Sequence, residues 1–335
     1  MKQVALEEVK VMQKPTILHG IKAFSRTLLS KSSVLPILIP LWIIFSLLSP
    51  TFATQRNLQT LLAATAVVAV AAVGQTLVLI TAGIDISVAS VAACSGIIAA
   101  TVMGAEGEWW VGVGVALVVG LFFGLFNGIS IAKLGLTPFV LTLGTHLVAR
   151  GIAFTVSKGI AIAVPESIRT FGKTNWLGIP AIAVVAILTM MVFGVLLTQT
   201  TWGRHLYLLG ANPNAARYVG IRRGLIVASV YTISGVLSGL AGFLAMANLG
   251  AAIPGVGDKI LLTIIGGVIL GGTSMFGGIG SMQRTAMGVL LLATMTNGLN
   301  LLGFDFYDQL IAQGLVIIAG TALTARLGQE QTTDS

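Results

Sequence analysis

Charge is what this sequence has least of. Only 9% of its 335 residues are charged, with 11 acids against 19 bases. Soluble domains average about 25%, so the chain lacks the polar surface to solvate a globule of its length. Cysteine is nearly absent as well: Cys94 stands alone in an apolar stretch, which excludes an internal disulfide and reads as a buried small hydrophobe. His19, His146 and His205 are the only histidines and lie in different segments, so no metal cluster and no nucleophile with partners is visible. A cleavable leader is not expected either. About 33 residues precede the first apolar run, and no A-x-A site follows it.

What the chain has instead is apolar length. Some 56% of it is hydrophobic, and runs of roughly 17–25 apolar residues are what a helix needs to cross a bilayer. This predicts an all-α polytopic membrane protein with about ten transmembrane helices, near 34–50, 58–82, 86–104, 110–133, 138–157, 179–199, 225–247, 260–273, 286–302 and 309–325. The expected domains are a basic N-terminal segment, 1–33, a membrane domain, 34–326, and a tail, 327–335. In the first of these, Ile17, Leu18, Ile21, Phe24, Leu28 and Leu29 recur near helical spacing between Lys22, Arg26 and Lys31. That suits a helix lying on the membrane surface; a disordered basic leader is the alternative.

The placement of the bases sets orientation. With the N-terminus inside, the inner segments hold Lys2, Lys10, Lys14, Lys22, Arg26, Lys31, Lys133, Arg204, Arg217, Arg222, Arg223, Arg284 and Arg326. The outer ones hold only Arg56, Lys158, Arg169, Lys173 and Lys259. Positive residues favour the cytoplasm, so both termini and the segment 200–224 are expected inside. The net charge of +8 is then topology and implies no nucleic acid.

Two segments resemble one another. NGISIAKLG from Asn127 closes the fourth span and NGLNLLG from Asn297 the ninth. Five spans separate them, which suggests an inverted 5+5 repeat of the kind common in transporters; two chance Asn-Gly turns would look the same. Gly120, Gly124 and Gly128, and again Gly235 and Gly239, keep the one-turn spacing that lets helix backbones approach in lipid. The run GGVILGGTSMFGGIGS, 266–281, has too many glycines for a sound helix and predicts a re-entrant or unwound segment, which must be buried in protein or line a cavity.

Ionisable groups inside a membrane usually mark function. Here they are His146 and Arg150, at i and i+4, and Asp85 at the mouth of a span. His146 and Arg150 could line a polar path or bond neighbouring helices. Asp85, in GIDISVAS with Ser87, could cap the third helix or touch substrate. No carboxylate chain suggests a proton relay, so energy for transport is expected from another subunit. Thr142, Thr145, Asn297 and Asn300 are further polar candidates near mid-path, although helix–helix hydrogen bonds account for them as well. SIRTFGKT, 167–174, ends like a phosphate-binding loop but has Ser167 for the first glycine and no preceding strand.

The segment 200–224 carries its own local structure. Asn212 suits a helix N-cap, Pro213 the first helical position and Gly220 the residue past the end. A helix from Pro213 to Val219 follows, exposing Arg217 and Tyr218. A helix this short is marginal alone and must dock on its own protein or on a partner.

These elements resemble a known family. GIDISVAS, NGISIAKLGLTPFVLTLGT, GRHLYLLGANPNAARYVGI, VILGGTSMFGGIGS and NGLNLLGFDFYDQLIAQGLVIIAG, in this order, are similar to elements of the membrane permeases of bacterial monosaccharide ABC importers, the ribose, xylose and arabinose type. The resemblance implies a permease without a catalytic site, paired with a second copy, a tandem ATPase that carries the ATP and Mg, and a periplasmic or lipid-tethered sugar-binding protein. It implies a coupling helix in the loop Gly203–Ile221, matched at Gly203, Arg204, Gly210, Asn212, Ala215, Ala216, Gly220 and Ile221, with Arg217 exposed beside them. Ala82 and Ala89 stand where the family has glycine, and Ala211 departs from its Gly-Gly-Asn. The segments 159–178, 248–259 and 303–308, expected outside, are candidate contacts for a binding protein. A nucleoside or autoinducer-type sugar derivative is an alternative cargo, and an ion-coupled carrier an alternative class that the capped helix argues against.

Overall fold

A computed structural model of the chain describes the backbone of residues 34–333 and the side chains of 34–321. The amphipathic helix expected within 1–33 lies outside the described residues. In chain order the elements are α1 (Leu35–Leu48), α2 (Gln55–Ile80), α3 (Val88–Met103), α4 (Trp109–Leu134), α5 (Pro138–Ser157), β1 (Ile162–Ala163), α6 (Glu166–Lys173), β2 (Asn175–Trp176), β3 (Ile179–Pro180), α7 (Ala181–Gln199), α8 (Thr201–Ala211), α9 (Pro213–Tyr218), α10 (Arg223–Leu249), β4 (Ala251–Ala252), α11 (Val256–Leu270), α12 (Met282–Leu301) and α13 (Phe306–Thr333). Five of these, α2, α4, α5, α7 and α10, are long and apolar enough to cross a membrane, and α1 and α3 are apolar but shorter.

The centre is α2, which is buried along most of its length and packs on α7, α10, α11 and α12. Small residues make this possible. The run Ala-Ala-Thr-Ala-Val-Val-Ala-Val-Ala-Ala-Val-Gly leaves little bulk on any face, so several helices can approach one axis. The closest seam lies between α4 and α10. A Cβ on Gly120 would strike Gly235 O, one on Gly235 would strike Gly120 O, and one on Gly239 would strike Ala116 O. Over three turns of helix, backbone rests on backbone with no side chain between.

The packing has a two-fold character. α3 packs on α4 as α11 packs on α12, and α4 on α10 as α12 on α2, but the packing of α2 on α7 has no comparable counterpart between α10 and α1, so the likeness is partial. Connections gather at two ends. At one, β1 pairs antiparallel with β4, Ile162 opposite Ala252 and Ala163 opposite Ala251. Gln59 Nε2 donates to Gly178 O (3.0 Å), and the Lys259 ammonium sits 5.6 Å from the centre of the Phe306 ring. Thus 159–178, 248–259 and 303–308, separate in sequence, share one surface. SIRTFGKT forms most of α6, an amphipathic helix with Ile168 buried.

Three expectations are corrected. The eighth expected span, 260–273, begins earlier, at Val256, because Asp258 sits in the first turn, where an acid complements the helix dipole. The glycine-rich run is not unwound from 266. Helix α11 continues to Leu270, since Gly267 lets it seat directly on the Val289 backbone of α12, and only 271–281 is irregular. Neither Asn-Gly pair is a turn: Asn127 lies within α4 and Asn297 within α12.

Candidate functional site

Two sites can be built from the residues upward. The first is polar and buried. After α2 ends, the chain turns through Ala82, Gly83, Ile84 and Asp85 into α3. Asp85, 2% exposed, accepts at Oδ1 from Ser87 N (2.9 Å) and Ser87 Oγ (2.6 Å), and at Oδ2 from Ser234 Oγ of α10 (2.9 Å). One oxygen therefore serves the start of α3 and the other reaches across to α10. Asn127 Nδ2 of α4 donates to Ser87 Oγ (3.1 Å), and Thr145 Oγ1 of α5 donates to Asn127 Oδ1 (2.6 Å). Thr142 Oγ1 accepts from Ile86 N (3.2 Å) and donates to Pro138 O (2.8 Å). Tyr231 OH donates to Ile84 O (3.4 Å), and Ser90 Oγ lies 2.9 Å from His146 Nδ1.

The result is a network that ties α3, α4, α5 and α10 to one turn, with the Ser90–His146 pair as a separate link between α3 and α5. Non-helical backbone among these helices needs such burial, because lipid offers it no partners. A fully paired network holds one arrangement firmly and is costly to break piecemeal. Of the seven pathway candidates, the structure gathers Asp85, Ser87, Thr142, Thr145 and His146 here. Asn297 lies at the other end of the bundle, where it exchanges amide hydrogen bonds with Asn57 (2.9 and 3.0 Å). Asn300 is exposed on the last turn of α12. Arg150 does not join the network either; it pairs with Asp258 of α11 at 2.7 Å, both side chains about half-exposed. Ser234, Ser90 and Tyr231 were not anticipated. A hydroxyl in an apolar helix is a weak signal, since it can bond its own backbone.

The second site is the end of the bundle that carries α8 and α9. Thr200 caps α8, accepting from Gly203 N (3.1 Å), and Gly203 permits the sharp α7–α8 corner because a Cβ there would strike Leu197 O. Trp202 Nε1 donates to Ser229 Oγ of α10 (3.0 Å), and Tyr207 OH to Gly280 O (2.8 Å). Burial raises the Tyr207 phenol above its ordinary value, with Arg284 pulling it the other way, so it stays a neutral donor. Gly210 lies flat against α2, where a Cβ would collide with Ile80 O. Ile80 O also accepts from Gly278 N (2.9 Å), so the ends of α2 and α8 and the 271–281 loop meet at one carbonyl.

The single residue Asn212 joins the end of α8 to α9. Asn212 Oδ1 accepts from Asn214 N (3.1 Å) and Ala215 N (3.0 Å), as an N-cap should. Gly220 adopts φ +80°, and Ile221 N returns to Ala216 O (3.0 Å), the left-handed closure that glycine allows. Ala216 is buried and Ala215 half-buried, while Arg204, Arg217, Arg222 and Arg223 are exposed and form no ion pair among the described residues. Tyr218 is 90% exposed, with Val219 beside it. Tyr218 and Val219 are thus exposed apolar surface, with the exposed Arg217, Arg222 and Arg223 close by in sequence.

Residues 57–320 match the model of the family described as the branched-chain amino acid transport system / permease component. The chain is similar to the ribose import permease protein RbsC of Escherichia coli (strain K12), 36% identical over 304 residues, 89% of this chain and 95% of that one. It is 35% identical to the D-allose transport system permease protein AlsC of the same organism over 283 residues, 84% and 87% of the two chains. It is 33% identical to the L-arabinose transport system permease protein AraH, also from that strain, over 280 residues, 83% and 85%. No solved structure gives a significant match.

Proposed function

Because this chain belongs to the family of branched-chain amino acid transport system permease components, we propose that it is the membrane subunit of an ATP-binding cassette importer, a multi-pass protein of the bacterial cell membrane. The family description names amino acids. The relatives that span most of the chain are named for ribose, allose and arabinose, and this supports a monosaccharide cargo, a ribose-like pentose or a hexose. The chain works without a catalytic site of its own; a tandem-domain ATPase carries the ATP and Mg, and a sugar-binding protein delivers the cargo. Two copies of the chain form the membrane unit.

The observation that carries this reading is α9. It is a six-residue helix with its cap, its proline and its terminal glycine in place, presenting an apolar tip and arginines that form no ion pair among the described residues. So short a helix gains little from its own hydrogen bonds, and its exposed face calls for a partner. Docked in the ATPase, α9 is the coupling helix. Motion imposed on it passes through Asn212 to α8, from Gly210 to the end of α2, and along the Ala82–Asp85 turn into the network that joins α3, α4, α5 and α10.

The ten-span arrangement with both termini inside fits the same picture. It puts the α2–α3 turn, α8, α9 and the 271–281 loop on the cytoplasmic side and the β1–β4 surface on the other, where the binding protein docks. The parity of helix packing supports an inverted 5+5 repeat, α1–α5 against α7 and α10–α13.

The test is uptake of labelled ribose, arabinose and allose by proteoliposomes holding the chain, its ATPase subunit and its binding protein. Uptake should require the ATPase. Uptake without it, or coupling that survives Ala215→Glu and Gly220→Pro, would sink the reading.

A further inference from the structure

We propose that the turn Ser274–Ile279 is a second foot on the ATPase, seated beside α9, with Phe276 as its anchor. The inference rests on the reading of α9 as the coupling helix.

Phe276 is 91% exposed, and Met275 and Ile279 are exposed on the same turn. The turn is nevertheless built. Ser274 N donates to Ile279 O (3.0 Å), Gly277 N to Ser274 O (3.3 Å), and Phe276 N to Ser274 Oγ (3.1 Å). An aromatic ring held out on a closed turn contributes nothing to the chain's own core, and such rings are the usual anchors of protein interfaces.

Its position names the partner. Gly277 packs on Gly210 O, Gly278 packs on Ala211, and Gly278 N bonds Ile80 O. Ala211 is the residue before Asn212, the cap of α9. The apolar tip of the turn and the apolar tip at Tyr218 and Val219 are therefore mounted on one frame at one end of the bundle. A partner that takes α9 meets the turn too. The mechanical gain is specific: a short helix alone can roll in its cleft, whereas two feet fix its rotation. Displacement of the ATPase then reaches Ile80 by two routes, through Gly210 and through Gly278. The socket expected on the ATPase is an apolar pocket next to the cleft that takes α9.

The experiment uses the full chain in nanodiscs with the ATPase subunit that supports uptake in the reconstitution. Phe276→Ala should weaken ATPase binding by about tenfold or more, the scale of losing one aromatic anchor. Phe276→Leu should restore part of it, and the melting temperature of the isolated permease should not change. A Phe276→Cys variant should form a disulfide with cysteines scanned across the ATPase surface beside the α9 cleft. If Tyr218→Ala weakens binding while Phe276→Ala does not, the turn is no contact and α9 keeps its role. If a fluorophore attached to Phe276→Cys is quenched by spin-labelled lipid and unmoved by the ATPase, the foot stands on the membrane and the proposal is wrong. If neither variant alters binding, both readings fall together.

Discussion

Ser234 Oγ donates to Asp85 Oδ2 at 2.9 Å across 149 residues of sequence, joining the middle of α10 to the turn that opens α3. Each Asp85 oxygen has one set of partners, and Ser234 alone serves Oδ2 among the described side chains. Ser234→Ala removes the side-chain donor to that buried oxygen, at a cost of about 1–3 kcal/mol. Thermal unfolding of the detergent-solubilised permease should show a clear fall in midpoint. An unchanged midpoint would mean that the carboxyl group finds another donor.

The α4–α10 seam should tolerate nothing larger than glycine. Gly120→Ala and Gly235→Ala each drive a methyl into a backbone carbonyl of the facing helix, and overpacking of this kind costs about 1–3 kcal/mol. Gly144→Ala on α5 is the control, because no atom lies within 4 Å of its Cβ position. The yield of folded, monodisperse protein should fall for the first two and hold for the third.

Asn212→Ala removes the cap of α9, worth about 1 kcal/mol. Because α9 is so short, this should fray the helix and lower sugar-stimulated ATP hydrolysis in the assembled complex. The permease alone should melt as before. Asn212→Asp and Asn212→Ser keep a capping oxygen and should retain coupling.

Ala82 holds φ +60°, in the left-handed region that costs a non-glycine residue about 1–2 kcal/mol. Ala82→Gly should relieve it, less the greater freedom glycine has in the unfolded chain, for a net gain of up to about 1 kcal/mol. A fall in stability would show that the alanine methyl is needed beside Gly277.

Asn57 and Asn297 exchange two amide hydrogen bonds between α2 and α12. Interhelical hydrogen bonds in membranes couple by about 0.6 kcal/mol on average. A double-mutant cycle with alanine at both positions should give a coupling of that order or up to twice it, for the paired bonds. Zero coupling would mean that each amide bonds elsewhere once its partner is gone.

Much of the architecture could be read from the sequence where a residue acts within its own segment. Asn212, Pro213 and Gly220 define α9 because capping is local, and the observed helix ends one residue before the expected Val219. The glycine spacings in α4 and α10 announced close packing, though only the structure shows that the two stripes face each other. Helix α8 was missed because Arg204 and His205 interrupt the apolar run; Trp202, Leu206 and Leu209 still carry a helical i, i+4, i+7 face. Asp85 stood out as a lone acid. Its partner Ser234 did not, nor did Asn127, which bonds Ser87 beside it, because they come from α10 and α4, and no spacing in one segment reveals a hydrogen bond to another. The two-residue strands β1 and β4 are too short for any alternation to register.

The bare seam between α4 and α10 also limits how the molecule can change shape. Helices that slide or roll past one another do so by moving side chains between alternative grooves, and here Gly120, Gly124, Gly235 and Gly239 supply none. The two helices are in effect one part. Any rearrangement that opens a route through the membrane must be taken up by joints elsewhere in the bundle, with α4 and α10 serving as the fixed post about which the others turn.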